Sequence, residues 1–374
     1  MDVQFLRRAI KLAMNGRGRV EPNPMVGCVI VKDGRVIGEG YHGRFGGPHA
    51  EPTSLAACTE SSQGATAYVT LEPCCHTNKK TPPCAPRLIN AGIKRLVYGC
   101  VDPNPNVNGK GLKMLGEAGV EVIGPVLETE TRQLNAAFFK AVGNAQPYVT
   151  LKWAETADRK VAGAGGKRTQ ISCDRAMRVV HEMRARCDTI LVGINTVLAD
   201  DPQLTVRNVQ SFRPQTRAVL DSHLRLPVES MLARTGSGEL VVFCSRKTFH
   251  DSPRVAELEG MGLKVTPLME SSPDRLSLNE VLLSLDEHGQ HVLVESGPTL
   301  AKSLLDENRC DRVWVIRSPR TMNAPTAPDA PQVPSNFVKT AEVNLDGDIL
   351  TEYLNPAGPS YYAAEPSADV ARLM

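Results

Sequence analysis

The sequence predicts two successive α/β domains, and three observations predict them. Up to about residue 145, β-branched runs of strand length alternate with apolar-striped runs of helix length, the pattern of a sheet covered by helices. A second alternating series opens at Tyr148, just after Gln146-Pro147. At 374 residues the chain is long enough for two ordinary domains, each with its own core.

In the first series, residues 2–13 place Phe5, Leu6, Ala9, Ile10 and Leu12 on a helical face that also carries Arg7 and Arg8. They read as an amphipathic core helix and not as a signal peptide. Strands are expected at 27–32 and 35–40, joined by Asp33-Gly34, a pair suited to a tight hairpin turn. Further strands are expected at 66–71, 95–100 and 120–123, with helices at 51–58, 84–91 and 111–118. Strands that alternate with helices pair in parallel, which gives a three-layer α/β domain over 1–145. The second domain, 146–355, is expected to have strands at 148–153, 189–192, 217–220, 240–244 and 291–295, and helices at 173–185 and 300–306. Its strand at 291–295 runs through Ser296-Gly297-Pro298-Thr299 into a helix. That is either a phosphate cradle at a helix start or a plain strand-to-helix turn. The proline-rich stretch 325–334 reads as a loop. Residues 356–374 lack a periodic pattern and are expected to form a flexible or peripheral tail.

A formal net charge of +2 gives no general pull toward nucleic acid or membrane. No apolar run approaches the roughly 18 residues of a membrane span. The ten cysteines are scattered without the spacing of a disulfide scaffold, which suits a reducing compartment, so a cytoplasmic protein is expected.

The chemistry concentrates in His49-Ala50-Glu51, Pro73-Cys74 and Cys84. A catalytic zinc site takes three protein ligands and keeps a fourth position open for water. His49, Cys74 and Cys84 satisfy that count, leaving Glu51 free to move protons. Zinc lowers the pKa of its water to about 7, which lets it attack a ring carbon bearing an exocyclic amine. This is the logic of the H-x-E and later P-C-x-x-C of zinc deaminases, with nine residues here between the two cysteines. His49 follows Gly46-Gly47-Pro48, Pro52 suits a first helical turn, and Pro73-Cys74 follows a strand. Both ligand groups are therefore expected at helix starts, where the dipole favours thiolate. The bland alternative is a chance H-x-E string beside buried, unreactive cysteines.

Together, Pro22-Asn23-Pro24-Met25-Val26-Gly27, His49-Ala50-Glu51, Leu71-Glu72-Pro73-Cys74, His76 and Thr81-Pro82-Pro83-Cys84 resemble the deaminase half of the bifunctional riboflavin-biosynthesis deaminase/reductases. The second half adds Tyr148-Val149-Thr150-Leu151-Lys152, Ile190-Leu191-Val192-Gly193, Thr196-Val197-Leu198-Ala199-Asp200-Asp201-Pro202, Leu204-Thr205-Val206-Arg207 and Glu295-Ser296-Gly297-Pro298-Thr299-Leu300. The resemblance covers roughly residues 1–317. It implies a cytidine-deaminase-like domain followed by a dihydrofolate-reductase-like α/β domain, with Zn2+ and NADPH as cofactors. It also implies two steps on a pyrimidine ribosyl phosphate: hydrolytic loss of the amine at C2, then reduction of the ribosyl to a ribityl chain. Carried over residue by residue, His49, Cys74 and Cys84 would be zinc ligands and Glu51 the proton shuttle, with Asn23 and His76 on the pyrimidine and ribose. Substrate contacts would fall on Arg184, Arg207 and Glu295, and cofactor contacts on Thr196, Asp200, Ser222, Gly297, Pro298, Thr299 and Leu300. Arg184 and Arg207 suit a phosphate, which guanidinium groups bind bidentately; ordinary solvated arginines are the alternative. Lys152 either orients substrate or snorkels from a strand end. Family members assemble through the reductase half, so a homo-oligomer is expected.

The sequence also departs from the family. An extra residue lies within 77–80, and Cys75 stands where a small hydroxyl residue is usual. If 74 and 75 are helical they point about 100° apart, so only Cys74 should face the metal. Pro52-Thr53 replaces a polar neighbour of the substrate. In the second half, Arg159 replaces a glycine, Gln170 a tryptophan and Arg168 a serine, and Arg317 to Asn323 differ from the usual strand exit. These read as several losses in one site, leaving the reductase impaired, retuned or absent. Other readings are a deaminase whose second domain serves assembly or handover, and a nucleic-acid-editing deaminase, which the near-neutral charge and lack of a basic aromatic face disfavour. A last reading is a regulatory module on a closed structural zinc site. That would need Cys75 or His76 as fourth ligand and would leave Glu51 without a purpose.

Overall fold

The helical and strand patterns resolve, in a computed structural model that describes residues 1–76, 81–236, 238–358 and 367–374, into two units, Met1–Asn144 and Ala145–Met374. The first contains, in order, α1 (Asp2–Ala13), β1 (Gly27–Lys32), β2 (Arg35–Tyr41), α2 (Ala50–Ala56), β3 (Thr66–Leu71), α3 (Cys84–Asn90), β4 (Arg95–Cys100), α4 (Lys110–Glu117), β5 (Glu121–Ile123), α5 (Glu128–Leu134) and α6 (Ala136–Asn144). The sheet order is β2-β1-β3-β4-β5. β1 pairs antiparallel with β2 and β3, and β3, β4 and β5 run parallel. Asp33 and Gly34 both take positive φ (50° and 75°), as the tight hairpin turn requires.

Strand alternation sorts the two sheet faces. Val29, Val31, Tyr68 and Val97 pack against Leu6 and Ala9 of α1. Cys28, Ile30, Ala67, Val69 and Leu96 pack against Ala50, Ala85, Leu88 and Leu115 of α2, α3 and α4. This is the three-layer arrangement the pattern predicts. Helices α5 and α6 were not read from the sequence. Asn135, between them, grips the backbone of Met25 twice, its Oδ1 accepting from the amide (2.8 Å) and its Nδ2 donating to the carbonyl (2.9 Å).

The second unit contains β6 (Tyr148–Glu155), α7 (Asp174–Arg184), β7 (Thr189–Gly193), α8 (Ile194–Asp200), β8 (Thr216–Leu220), α9 (Met231–Arg234), β9 (Leu240–Ser245), α10 (Arg246–Asp251), α11 (Arg254–Gly260), β10 (Lys264–Leu268), β11 (Glu270–Ser272), β12 (Arg275–Leu276), α12 (Leu278–Asp286), β13 (His291–Glu295), α13 (Pro298–Asp306), β14 (Arg312–Arg317), β15 (Val338–Leu345), β16 (Asp348–Leu354) and α14 (Ala368–Ala371). The main sheet has the order β10-β9-β8-β7-β13-β6-β14-β16-β15. It is parallel from β10 to β14, and β16 and β15 close it as an antiparallel pair that the sequence reading missed. Apolar clusters cover both faces.

Two expectations are corrected. The C-terminal residues 367–374 are not a peripheral tail: Val370 is fully buried, and Asp369 accepts from the buried Arg312 guanidinium at 2.8 Å. Ser367 also donates its amide to Glu352 (2.7 Å). A buried arginine needs counter-charge, and Asp369 supplies it at 2.8 Å together with the buried Glu352 at 4.0 Å. Residues 359–366 lie outside the described residues. Cys74 does not begin a helix; it lies in the loop between β3 and α3, and Cys84 alone opens one. The helical argument separating Cys74 from Cys75 therefore does not apply, and the extra residue at 77–80 falls outside the described residues.

Candidate functional site

In the first unit, His49 is the N-cap of α2 and Glu51 lies in its first turn. The helix is held close to the hairpin: Ser54 Oγ donates to the Cys28 carbonyl (2.7 Å), and a Cβ on Gly40 would come within 2.5 Å of the Ser54 nitrogen. His49 Nδ1 lies 3.6 Å from Cys74 Sγ and 3.4 Å from Cys84 Sγ, and the three ligand atoms fall within 4.8 Å of one another. Tetrahedral zinc with Zn–S of about 2.3 Å and Zn–N of about 2.0–2.1 Å requires N···S separations of about 3.5–3.6 Å. The residues therefore fit zinc, and their nitrogen and sulfur donors suit it better than magnesium or calcium. Thr81 Oγ1 lies 3.3 Å from His49 Nε2, so the other ring nitrogen is steadied as well. Cys75 turns away toward the Asn106 carbonyl (3.9 Å).

Glu51 is 2% exposed. Burial first, and the neighbouring Cys74 second, push its carboxyl upward, while His49 opposes them. Its Oε2 is buried with no partner among the described residues. Asn23 Nδ2 lies 3.2 Å from His42 Nε2, and the His42 ring stands 5.3 Å from that of His49. His76 Nδ1 is buried without a partner among the described residues.

A residue that sequence reasoning missed is Glu72, 3% exposed and next to Pro73-Cys74. Its carboxylate accepts the amides of Asp102, Gly109, Gly111 and Leu112 at 2.8–3.4 Å. It thereby fixes the start of α4 against the Cys74 loop. A Cβ on Gly111 would meet the Pro73 carbonyl at 1.9 Å, so only glycine allows this approach. The signal was a glutamate directly before the zinc-binding Pro-Cys.

In the second unit one cavity of about 1590 Å³ gathers Lys152, Arg184, Thr196, Asp200, Arg207, Ser222, Glu295 and the Gly297–Leu300 turn. Parallel pairing of β6 and β13 sets Lys152 beside Glu295. Arg184 grips Glu295 with two hydrogen bonds (2.5 and 3.1 Å), and Lys152 Nζ stands 3.9 Å away. Burial would raise the Glu295 carboxyl, but Arg184 and Lys152 hold it down at about 2. Arg184 is thus a buried, ion-paired guanidinium and not the ordinary solvated arginine of the alternative reading. Arg207 bonds the neutral Gln203 and Thr205 side chains (3.1 and 2.9 Å), and Arg168 the Asp200 carbonyl (3.1 Å). Neither has a carboxylate partner among the described residues. His181, brought to about 4 by burial and then by Arg184 and Arg207, is neutral and accepts the Arg207 amide (3.2 Å). Gly297 caps α13 and donates its amide to Thr196 Oγ1 (3.1 Å). Ser222 Oγ donates to the Asp274 carbonyl (3.0 Å).

The departures do not fall in one site. Arg168 and Gln170 line the cavity. Arg317 and Arg159 instead turn onto Glu155, which is fully buried: Arg317 Nη2 lies 2.6 Å away, Arg159 Nη1 3.8 Å, and Trp153 Nε1 donates to it at 2.9 Å. The amides of Met322 and Asn323 bind Asp158 (both 2.9 Å). Away from the cavity, the altered Arg159 and Arg317 thus serve the buried Glu155, and Met322 and Asn323 serve Asp158.

Fold and sites together define an enzyme that joins a zinc-dependent, cytidine-deaminase-like domain to a dihydrofolate-reductase-like reductase domain. Residues 1–100 match the cytidine and deoxycytidylate deaminase zinc-binding region, and residues 147–348 the RibD C-terminal domain. Riboflavin biosynthesis protein RibD of Aquifex aeolicus is 38% identical over 323 residues (86% of this chain, 88% of that protein), and that of Escherichia coli 39% over 337 (86% and 89%). The structure of Acinetobacter baumannii RibD superimposes with a TM-score of 0.83 at 34% identity, covering 94% of this chain and 98% of that one. The chain belongs to the RibD family, the bifunctional deaminase/reductases of riboflavin biosynthesis. Its cofactors are zinc for the deaminase and NADPH for the reductase.

Proposed function

We propose that the chain carries out two consecutive steps on one small molecule, the pair of activities named for the Thermotoga maritima structure, a diaminohydroxyphosphoribosylaminopyrimidine deaminase and 5-amino-6-(5-phosphoribosylamino)uracil reductase (34% identity, TM-score 0.81). The observation that carries the reading is the His49, Cys74 and Cys84 ligand set, with N···S spacings suited to zinc, beside a buried Glu51 that shares the first turn of α2 with His49. Zinc held there supplies the Lewis acidity that makes water nucleophilic near neutral pH. Glu51 takes the proton of the attacking water as the new C–O bond forms at pyrimidine C2. It returns a proton to the amine as the C–N bond breaks and ammonia leaves. The upward push of burial on its carboxyl supports this two-way duty. Asn23 and His76 hold the pyrimidine and ribose portions; the unpartnered Nδ1 of His76 supports such a contact.

In the reductase, bound NADPH would supply the hydride for the ribosyl carbon that ring opening unmasks, with a proton drawn from solvent completing the reduction. Lys152 and Glu295 orient that carbon, with Arg184 keeping Glu295 ionised, and Arg207 receives the phosphate. Thr196, Asp200, Ser222, Gly297, Pro298, Thr299 and Leu300 hold the cofactor, a role their position on one cavity supports. The functional domains follow the two units, 1–144 and 145–374, and the enzyme works in the cytoplasm as a homo-oligomer without a nucleic-acid partner, which the net charge of +2 supports. Metal stripping tests the assignment. Chelated protein should lose ammonia release and regain it with Zn2+, while NADPH oxidation with the deaminated intermediate continues throughout. Undiminished ammonia release from zinc-free protein would overturn it.

A further inference from the structure

His42 follows β2, is 3% exposed, and has no part in the chemistry above. Its Nδ1 lies 2.9 Å from the carbonyl oxygen of Pro48, and its Nε2 lies 3.2 Å from Nδ2 of Asn23. A carbonyl oxygen can only accept, so Nδ1 carries the hydrogen and donates. The Asn23 amide nitrogen that faces Nε2 can only donate, so Nε2 accepts and the ring carries a single hydrogen. The neutral ring has one N–H, already used, so Nε2 presents its lone pair. Only the NH2 end of the Asn23 amide can meet that lone pair.

The amide is therefore fixed end for end. Its Nδ2 faces His42, and its Oδ1 faces away, with no hydrogen-bond partner among the described residues. The backbone nearby is held too, since Asn135 clamps Met25 two residues on. Pro48 directly precedes His49, so the same imidazole ties the Asn23 side chain to the residue that opens α2 and its zinc ligand.

We infer that His42 is a positioning residue that orients the Asn23 amide, so that Oδ1 is offered to the bound ring as a hydrogen-bond acceptor. The site thus selects a pyrimidine that presents an N–H or amino donor at that edge. This rests on the reading that Asn23 holds the pyrimidine. A ring offering only an acceptor there would face the Asn23 carbonyl and leave both groups unpaired, which is where discrimination is largest.

The test is a double-mutant cycle of His42→Ala and Asn23→Ala in the full-length zinc enzyme. Zinc content, kcat and KM for ammonia release are read together with NADPH oxidation on the deaminated intermediate. With Asn23 present, His42→Ala should lower kcat/KM roughly tenfold, mainly through KM, the size of one neutral hydrogen bond. In the Asn23→Ala background the same change should cost little, and zinc content should stay full. His42→Gln, which keeps one donor and one acceptor, should recover part of the loss, and it carries the cycle if His42→Ala fails to fold. Equal losses in both backgrounds, or zinc lost with His42, would overturn the inference. A wild-type enzyme that releases no ammonia while still oxidising NADPH would instead sink the underlying functional reading.

Discussion

Substituting Gly40 by alanine should damage the deaminase without touching the reductase. Gly40 lies on β2 opposite Cys28, and a Cβ built there would stand 2.5 Å from the Ser54 nitrogen, 2.8 Å from Thr53 Cβ and 2.9 Å from Thr53 C. Ordinary contact needs about 3.5 Å, so α2 must retreat by about 1 Å. The obstructing atoms are mostly backbone, which cannot swing aside as a flexible side chain would. Overpacking of this kind costs about 1–3 kcal/mol. The larger effect is on chemistry, because the displaced helix carries His49 at its cap and Glu51 in its first turn. A misplacement of about 1 Å costs on the order of 100-fold in rate. Ammonia release should fall by about that factor, while NADPH oxidation on the deaminated intermediate, measured on the same preparation, stays at the wild-type rate. Gly116→Ala in α4 is the control: its Cβ meets nothing within 4 Å, so it should leave both activities intact. Wild-type ammonia release and full zinc content in Gly40→Ala would refute the claim that the α2–β2 approach sets the site geometry.

Cys84→Ser should strip zinc to near background in metal analysis and abolish ammonia release, with NADPH oxidation preserved; retention of full zinc would remove Cys84 from the ligand set. Asp369→Ala removes the 2.8 Å partner of the buried Arg312 but leaves Glu352 at 4.0 Å, so it should cost about 1.5–3 kcal/mol, the size of a hydrogen bond to a charged group, read as a lower melting temperature for the reductase unit. An unchanged melt would mean that the docked chain end contributes nothing. The Glu295 carboxyl sits at about 2 in the folded protein against an ordinary 4.5. Its stabilisation is therefore complete above about pH 4.5 and is lost as pH falls toward about 2. Glu295→Gln should flatten the acid limb of reductase stability, and a superimposable pH profile would contradict the ion-pair assignment.

What the sequence discloses is the local part of this design. The strands at 27–32, 66–71 and 95–100 and the start of α1 follow from periodicity alone. His49, Glu51 and Cys84 follow from motif chemistry, because short spacings place them at helix starts. What it hides is set by distant partners. Asn135 acts on Met25, and Glu72 on four amides of the 102–112 segment, through contacts that no local pattern encodes. The chain end looks featureless because Asp369 and Ser367 matter only once Arg312 is buried beside them. The departures at Arg159 and Arg317 look like losses from a ligand site until Glu155 is seen to be buried between them. Cys74 was expected in a helix because a Pro-Cys pair after a strand so often begins one, whereas here Glu72 anchors the preceding loop instead.

The central claim is that one chain performs deamination and then reduction. Its most direct test is a single reaction of purified protein with the diaminopyrimidine ribosyl phosphate and NADPH, following ammonia and NADPH together. Wild type should release ammonia and consume NADPH in equal amounts. Glu51→Ala should do neither, and NADPH consumption should return when the deaminated intermediate is supplied. Ammonia release with NADPH untouched, even with that intermediate present, would contradict the account.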